Sequence, residues 1–238
     1  MKLTSRGKDI RIVVATPHNE ETFKKTDFYK FKIKDNNNFI YTIEYNNKEG
    51  LSTVYNRYIT STYKDEYVVF VHDDLLISDL FAKEKIIEGL KQYNIIGLAG
   101  TNKIVDTSYP AWHIMAGWNK PEHGRSHSLG EVAHIYKDSS NQDQIQTSVY
   151  GKTQGRVLLL DGLFLGVDVE KLLQANCSFD TDFNYHFYDL SFCLRANQAK
   201  LTMGVIQLFC IHRGIGDSLF SNEWKNDAPR FINKYFNK

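Results

Sequence analysis

Three features that would narrow the class of this 238-residue chain are missing: a paired cysteine pattern, a charge bias and a long apolar run. Its cysteines, Cys177, Cys193 and Cys210, are odd in number and show no CxxC or CxxH spacing. Neither a disulfide framework nor a structural zinc site is therefore expected, and a reducing, cytoplasmic setting is the simplest home. Lys and Arg total 29 against 28 Asp and Glu, so overall charge gives no reason to expect nucleic acid or an anionic membrane as partner. No segment approaches the roughly 18 uninterrupted apolar residues of a spanning helix, so no transmembrane segment is expected. Nor does the stretch before the first β-branched run hold an apolar core of signal-peptide length. Any anionic ligand must then be met by a local arrangement of residues.

What is present is an alternation of short buried strands and helices. Ile10–Ala15 is β-branched and stops at Thr16-Pro17-His18-Asn19, as a buried parallel strand ending in a loop would. Residues 39–45 read as a second strand, closed by Asn46-Asn47-Lys48-Glu49-Gly50. A helix capped by Ser52 follows, with Val54, Tyr55, Tyr58 and Ile59 at helical spacing, and 67–71 is a third strand. Ser78 or Asp79 is placed to cap a helix running to Gln92. Strands are then expected at 95–100, 157–160 and 201–211, with helices at 169–175 and 189–198. Such an order predicts an α/β fold with a mostly parallel sheet, whose ligands sit beyond the carboxyl ends of the strands. Residues 101–156 are too long and irregular to be a mere connector, and they read as a functional excursion with a hairpin near 131–136.

His72-Asp73-Asp74 lies where the third strand ends. Adjacent carboxylates repel unless something positive sits between them, and oxygen ligands favour Mg or Mn. An N-cap role is the simpler alternative, although Asp79 is better placed for it. The His-Asp pair of metal phosphohydrolases sits on a helix, so that reading does not suit a strand end. The excursion carries His113, His123, His127 and His134, but spacings of ten, four and seven match no compact zinc pattern, and solvated loop histidines are expected. Trp112 and Trp118 beside them suit a platform for sugar rings.

Five short pieces, in order, carry a family resemblance: Gly50-Leu51-Ser52-Thr53-Val54-Tyr55-Asn56, Val69 through Leu75, Leu160-Asp161-Gly162, Phe187-Tyr188-Asp189-Leu190 through Arg195, and Ile211-His212. Together they resemble the glycosyltransferase family-2-like domains of the streptomycin-biosynthesis type, over most of the chain from Ile10 to His212. The resemblance implies a GT-A (Rossmann-like) fold, a mixed, mostly parallel sheet flanked by helices. It implies one domain over 1–216, with an acceptor-side excursion at about 101–156, and a tail over 217–238 packing on or near the site.

It further implies an inverting transferase that moves a sugar from a nucleoside diphosphate sugar, most commonly a UDP-sugar, to a hydroxyl of a carbohydrate or glycan. Asp74 and His212 would hold Mn2+ or Mg2+, and Asp189 would be the base. His72, where many relatives have an Asp, and Asp73 would lie at the ribose, phosphate or metal's water. Thr16, Pro17 and Asn19 would cradle the nucleotide, Asn46 or Asn47 would read the base edge, and Asn56 would face the same pocket. Asp161 and Gly162 would form the floor between donor and acceptor, with Trp112 on the acceptor side. Tyr188 takes the place of a common Glu, so on this reading Asp189 has no acidic neighbour to raise its pKa. The alternatives are a non-catalytic nucleotide-sugar or glycan-binding module of the same fold, and a nucleotidyltransferase, which would want a Gly-rich phosphate loop where Thr16–Glu21 is acidic and glycine-free.

Overall fold

The computed structural model describes residues 7–34, 37–123, 125–214 and 221–237; the boundary expected at 216 and 217, with Ile215 and Gly216, lies outside them. The first part of the chain runs β1 (Asp9–Ala15), α1 (Glu20–Phe23), α2 (Asp27–Lys32), β2 (Ile40–Glu44), α3 (Leu51–Asn56), β3 (Glu66–Val71), β4 (Leu75–Ile77) and α4 (Ala82–Gln92). The middle runs β5 (Ile95–Gly97), β6 (Ala99–Thr101), α5 (Trp112–Met115), β7 (Ser128–Lys137), β8 (Asp143–Val149), β9 (Gly155–Val157), β10 (Leu159–Leu160) and β11 (Phe164–Asp168). The last part holds α6 (Val169–Gln174), α7 (Tyr188–Gln198), β12 (Met203–Val205), β13 (Cys210–His212) and α8 (Asn222–Tyr235).

Two sheets organise these elements. The larger has the order β2-β1-β3-β11-β5-β12-β9, and the smaller has β10-β6-β7-β13-β4 with β8 on β7. In the larger sheet β1 pairs in parallel with β2 and β3. β11 then runs antiparallel between β3 and β5. The sheet is thus mixed, as a GT-A core is, and its central antiparallel strand is an element that the run 157–160 followed by a helix does not predict. Phe164, Leu165, Gly166, Val167 and Asp168 are all buried, because both faces of this strand are covered.

Three apolar runs read as single strands each break in two at the join between the sheets. The run 95–100 gives β5 in the larger sheet and β6 in the smaller; 157–160 gives β9 and β10, and 201–211 gives β12 and β13. The runs 95–100 and 157–160 stay apolar through the break, so hydrophobicity does not mark the change of partner there, whereas in 201–211 the exposed Gln207 and Phe209 lie between β12 and β13. Two helix starts also differ from expectation. Gly50 rather than Ser52 stands at the N-cap of α3, with Ser52 fully buried. Asp79 sits one turn before α4, where it accepts from the Phe81 amide at 3.0 Å.

The excursion folds. Its β7 and β8 form a seven-pair antiparallel hairpin, longer than expected, and β7 lies beside β13 so that His134 faces His212 across the ladder. The tail forms α8, started by Ser221 accepting from Trp224 and packed through buried Trp224, Ala228 and Phe231. Under the sheet, Phe179 stacks on Phe192 at 4.1 Å and meets Tyr55 at 5.4 Å and Phe70 at 5.3 Å. Rings of this size contribute the largest apolar burial per residue, so this cluster ties α3, β3 and α7 together beneath the strand ends.

Candidate active site

The carboxyl ends of β1, β2 and β3 lie side by side, with Ala15 opposite Glu44 and Val14 opposite Val71. This brings Thr16 and the His72-Asp73-Asp74 turn together: the Thr16 hydroxyl donates to Asp73 Oδ2 at 2.6 Å. Asp73 is thereby anchored to β1. Asp74 turns the other way, toward the end of β13, where its Oδ1 lies 3.3 Å from His212 Nε2.

His72, Asp74 and His212 offer ligand atoms that all lie within 4.8 Å of one another. Three observations fit this set to a divalent cation. Asp74 Oδ1 is buried without a hydrogen bond, an expensive condition for a carboxylate oxygen unless a cation completes it. A side chain on Gly214 would come within 2.6 Å of Asp74 Oδ2 and 2.9 Å of His212 Nε2, so the missing Cβ leaves the space open. The rings themselves are suited to ligation. Burial lowers the His72 pKa and favours the neutral imidazole. The Tyr188 hydroxyl, 3.0 Å from His72 Nε2, donates to the Gly162 carbonyl at 3.0 Å. That hydroxyl can then only accept from His72, which places the ring proton on Nε2 and leaves Nδ1 a lone pair.

Two cavities meet at this centre. One, of about 400 Å³, is lined by His72 and His212 together with Asp161, Gly162, Asp189 and a wall of aromatic rings including Trp112, Trp118 and Tyr150. The other, of about 310 Å³, is lined by Asp73 and Asp74 with His18, Lys25 and Arg213. The three candidate ligands form the partition between them.

Asp189 is the second residue of α7, whose N-cap Phe187 has a left-handed backbone (φ 61°) that is unusual for an aromatic residue. Its two oxygens accept from the amides of Gly162 at 2.9 Å and Leu190 at 2.8 Å. Burial, followed by the nearby Asp161 charge, pushes its carboxyl up to about 7 despite those amide bonds. The expectation that Asp189 lacks an acidic neighbour is therefore corrected. The neighbour comes from the loop after β10 and not from the adjacent position 188. Gly162 is required at this join, because a Cβ there would lie 2.3 Å from the Tyr188 hydroxyl.

The other sequence candidates divide. Trp112 is nearly buried in the wall of the larger cavity, and its indole N–H donates to Asp161 Oδ2 at 2.7 Å. Trp118 donates to Ser128 Oγ at 2.6 Å. Pro17 and Asn19 are exposed, and Asn19 caps α1 by accepting from the Thr22 amide at 2.8 Å. Asn47 closes an Asx turn on Glu49 while its own amide donates to the Thr16 carbonyl at 2.9 Å. Asn46 takes a positive φ of 52° there. Asn56 lines neither cavity: both ends of its amide pair with the backbone of Phe179, at 3.0 and 2.8 Å.

Sequence reasoning passed over His113, His134, Tyr150, Tyr185 and His186, all of which line the larger cavity. The reading of the four excursion histidines as solvated is corrected for His113 and His134. His123 and His127 instead face each other at 5.4 Å between ring centres. No local spacing marks His134 out, since only the pairing of β7 with β13 brings it to the site.

A family model described as a glycosyltransferase like family matches residues 12–235. No curated protein sequence matches the chain. Among solved structures, GalNAc-T7 with UDP, GalNAc and Mn2+ superposes at a TM-score of 0.52 and 9% identity, over 96% of this chain and 48% of that one. The chain thus spans about half the length of that protein. TarS 1-349 from S. aureus gives 0.48 at 10% identity, covering 95% and 65% of the two chains. A197 from STIV gives 0.49 at 11% identity, covering 90% and 87%. At such identities the likeness to GalNAc-T7 is one of fold, the mixed α/β sheet of the GT-A type.

Proposed function

The chain belongs to the glycosyltransferase like family, and from that premise we propose that it is an inverting, metal-assisted transferase of the family-2-like, streptomycin-biosynthesis type. It moves a hexose from a nucleoside diphosphate sugar to a hydroxyl of a carbohydrate or glycan. The observation that carries this reading is the partition. His72, Asp74 and His212 separate a charged cavity suited to a nucleotide diphosphate from an aromatic-walled cavity that contains a raised-pKa carboxylate.

On this reading the nucleotide lies over the ends of β1 and β2, near Thr16, Pro17, Asn19 and Asn47, with Asp73 held toward it by Thr16. Asp74, His72 and His212 would hold Mn2+ or Mg2+, which when bound neutralises charge on the departing diphosphate. The sugar then projects past the partition over Asp161 and Gly162. Asp189 takes the proton of the acceptor hydroxyl as that oxygen attacks the anomeric carbon from the face opposite the diphosphate, so configuration inverts and no covalent intermediate forms. A carboxylate with a pKa of about 7 is half available at neutral pH and basic enough to accept that proton. The amides of Gly162 and Leu190 hold its orientation, and Trp112 fixes Asp161 beside it. Positioning of the two substrates supplies most of the remaining rate.

Calorimetry with UDP and with GDP, each with and without Mn2+, tests the donor side. Binding that needs the metal and is lost in Asp74→Ala is the expected result, and it also identifies the base. Asp189→Asn is expected to keep donor binding and lose transfer by at least about a hundredfold, the usual scale for a general base. Retained transfer in that variant would overturn the assignment of the base, and absence of any nucleotide binding would remove the transferase reading itself.

A further inference from the structure

His134 stands outside the set of residues just assigned, yet it lies as near to His212 as Asp74 does, at 3.3 Å. The parallel pairing of β7 with β13 sets the two residues opposite each other, and their Nδ1 atoms lie 3.3 Å apart. On its far side His134 Nε2 lies 3.4 Å from the Tyr150 hydroxyl. Tyr150 in turn packs edge-on to Trp112 at 5.2 Å, in the aromatic wall of the larger cavity.

Two nitrogens facing each other at hydrogen-bond distance must share one proton. His212 can present a bare Nε2 to a cation only when its proton sits on Nδ1, and a proton on Nδ1 needs an acceptor where His134 Nδ1 lies. His134 can provide that lone pair by carrying its own proton on Nε2, where the Tyr150 oxygen accepts it. In the opposite arrangement every proton moves one place, and His212 Nε2 carries a hydrogen toward Asp74 Oδ1, 3.3 Å away. We infer that His134 is a positioning residue that fixes the tautomer of His212, so that the hairpin β7–β8 and its aromatic wall are wired by hydrogen bonds to the candidate cation centre. This rests on the metal-assisted reading above. It assigns a role to a residue that lines the larger cavity but lies outside the three candidate ligands.

The test is Mn2+ uptake by the full chain, followed by the loss of the free-ion electron paramagnetic resonance signal, in wild type, Asp74→Ala, His134→Phe and His134→Asn. Loss of an outer partner to a ligating histidine typically weakens metal affinity about 10- to 100-fold, and that is the expectation for His134→Phe with its circular dichroism spectrum unchanged. His134→Asn places an amide oxygen near the lost Nδ1, and it is expected to recover most of the affinity. A packing role alone would give no such recovery, so equal losses in the two folded variants would overturn the inference. So would wild-type affinity in His134→Phe alongside loss in Asp74→Ala, which would leave the metal centre standing. If wild type takes up no Mn2+, the metal-assisted reading fails first and this inference goes with it.

Discussion

Asp189 has a raised pKa because two effects of its surroundings outweigh its amide partners. Burial disfavours the charged form, and Asp161 adds repulsion, while the amides of Gly162 and Leu190 pull the other way. A base must be ionised to act, so kcat/KM is expected to fall about tenfold per pH unit below an apparent pKa near 7, and to level off above it. Asp161→Asn removes the repulsive charge. The Asp189 pKa should then drop and the acid limb should move to lower pH, which a kcat/KM profile from about pH 5 to 9 would register. An acid limb that stays in place would mean that burial alone sets the base. Both residues were legible in sequence as candidates. Their coupling was not, because 28 positions separate them and only the packing of α7 against the loop after β10 brings their charges together.

At the scale of elements, the wall of the larger cavity is assembled from parts that no single segment encodes. The hairpin β7–β8 ends at Tyr150, α5 contributes Trp112 and α8 contributes Trp224. Trp224 stacks on Tyr109 at 5.5 Å and 24° and tilts against Phe187 at 5.5 Å. Helix α8 is held by ion pairs of Lys234 with Asp180 at 2.7 Å and Asp182 at 2.6 Å, and by the Tyr235 hydroxyl donating to Asp180 at 2.6 Å. Trp224→Phe keeps an aromatic ring in this packing but shortens the wall. An aromatic contact contributes about 0.5–1.5 kcal/mol, so the acceptor KM is expected to rise roughly 2- to 10-fold while calorimetric donor affinity stays unchanged. A loss of donor affinity instead would place α8 on the nucleotide side. The sequence marked Trp112 as an acceptor-side residue, and the resemblance put the tail on or near the site without saying which of its residues would pack there. Aromatic residues in a polar segment are compatible with a surface, a partner or a core, and the docking of the helix decides among them.

At the scale of the whole molecule, the stacked group of Phe179, Phe192, Phe70 and Tyr55 lies under the strand ends that carry the His-Asp-Asp turn. Phe179 is 1% exposed, and its backbone is bracketed by Asn56 at 2.8 and 3.0 Å. Phe179→Ala is expected to cost about 3–5 kcal/mol and to lower Tm by roughly 10 °C for a chain of this size, measured by thermal denaturation. A change of only a degree or two would mean that the cluster relaxes to fill the void. Asn56, expected to face the nucleotide, holds this cluster to α3, so its substitution belongs with stability rather than with donor affinity.

The sequence by itself determined the starts of the fold and the chemistry at the strand ends. β-Branched runs closed by turn-forming residues mark β1, β2 and β3, and the acids and imidazoles that follow are local facts of the chain. Tertiary structure decided which strand each apolar run pairs with, because 95–100 and 157–160 stay apolar straight across the break between sheets, and in 201–211 the exposed Gln207 marks a break but not the new partner. It also decided that β11 runs antiparallel at the centre, that His134 sits beside His212 and that Asp161 sits beside Asp189. Strand pairing and helix docking join residues far apart in the chain, and the free energy that selects those partners comes from the packed whole, with no counterpart in the local spacing of residues.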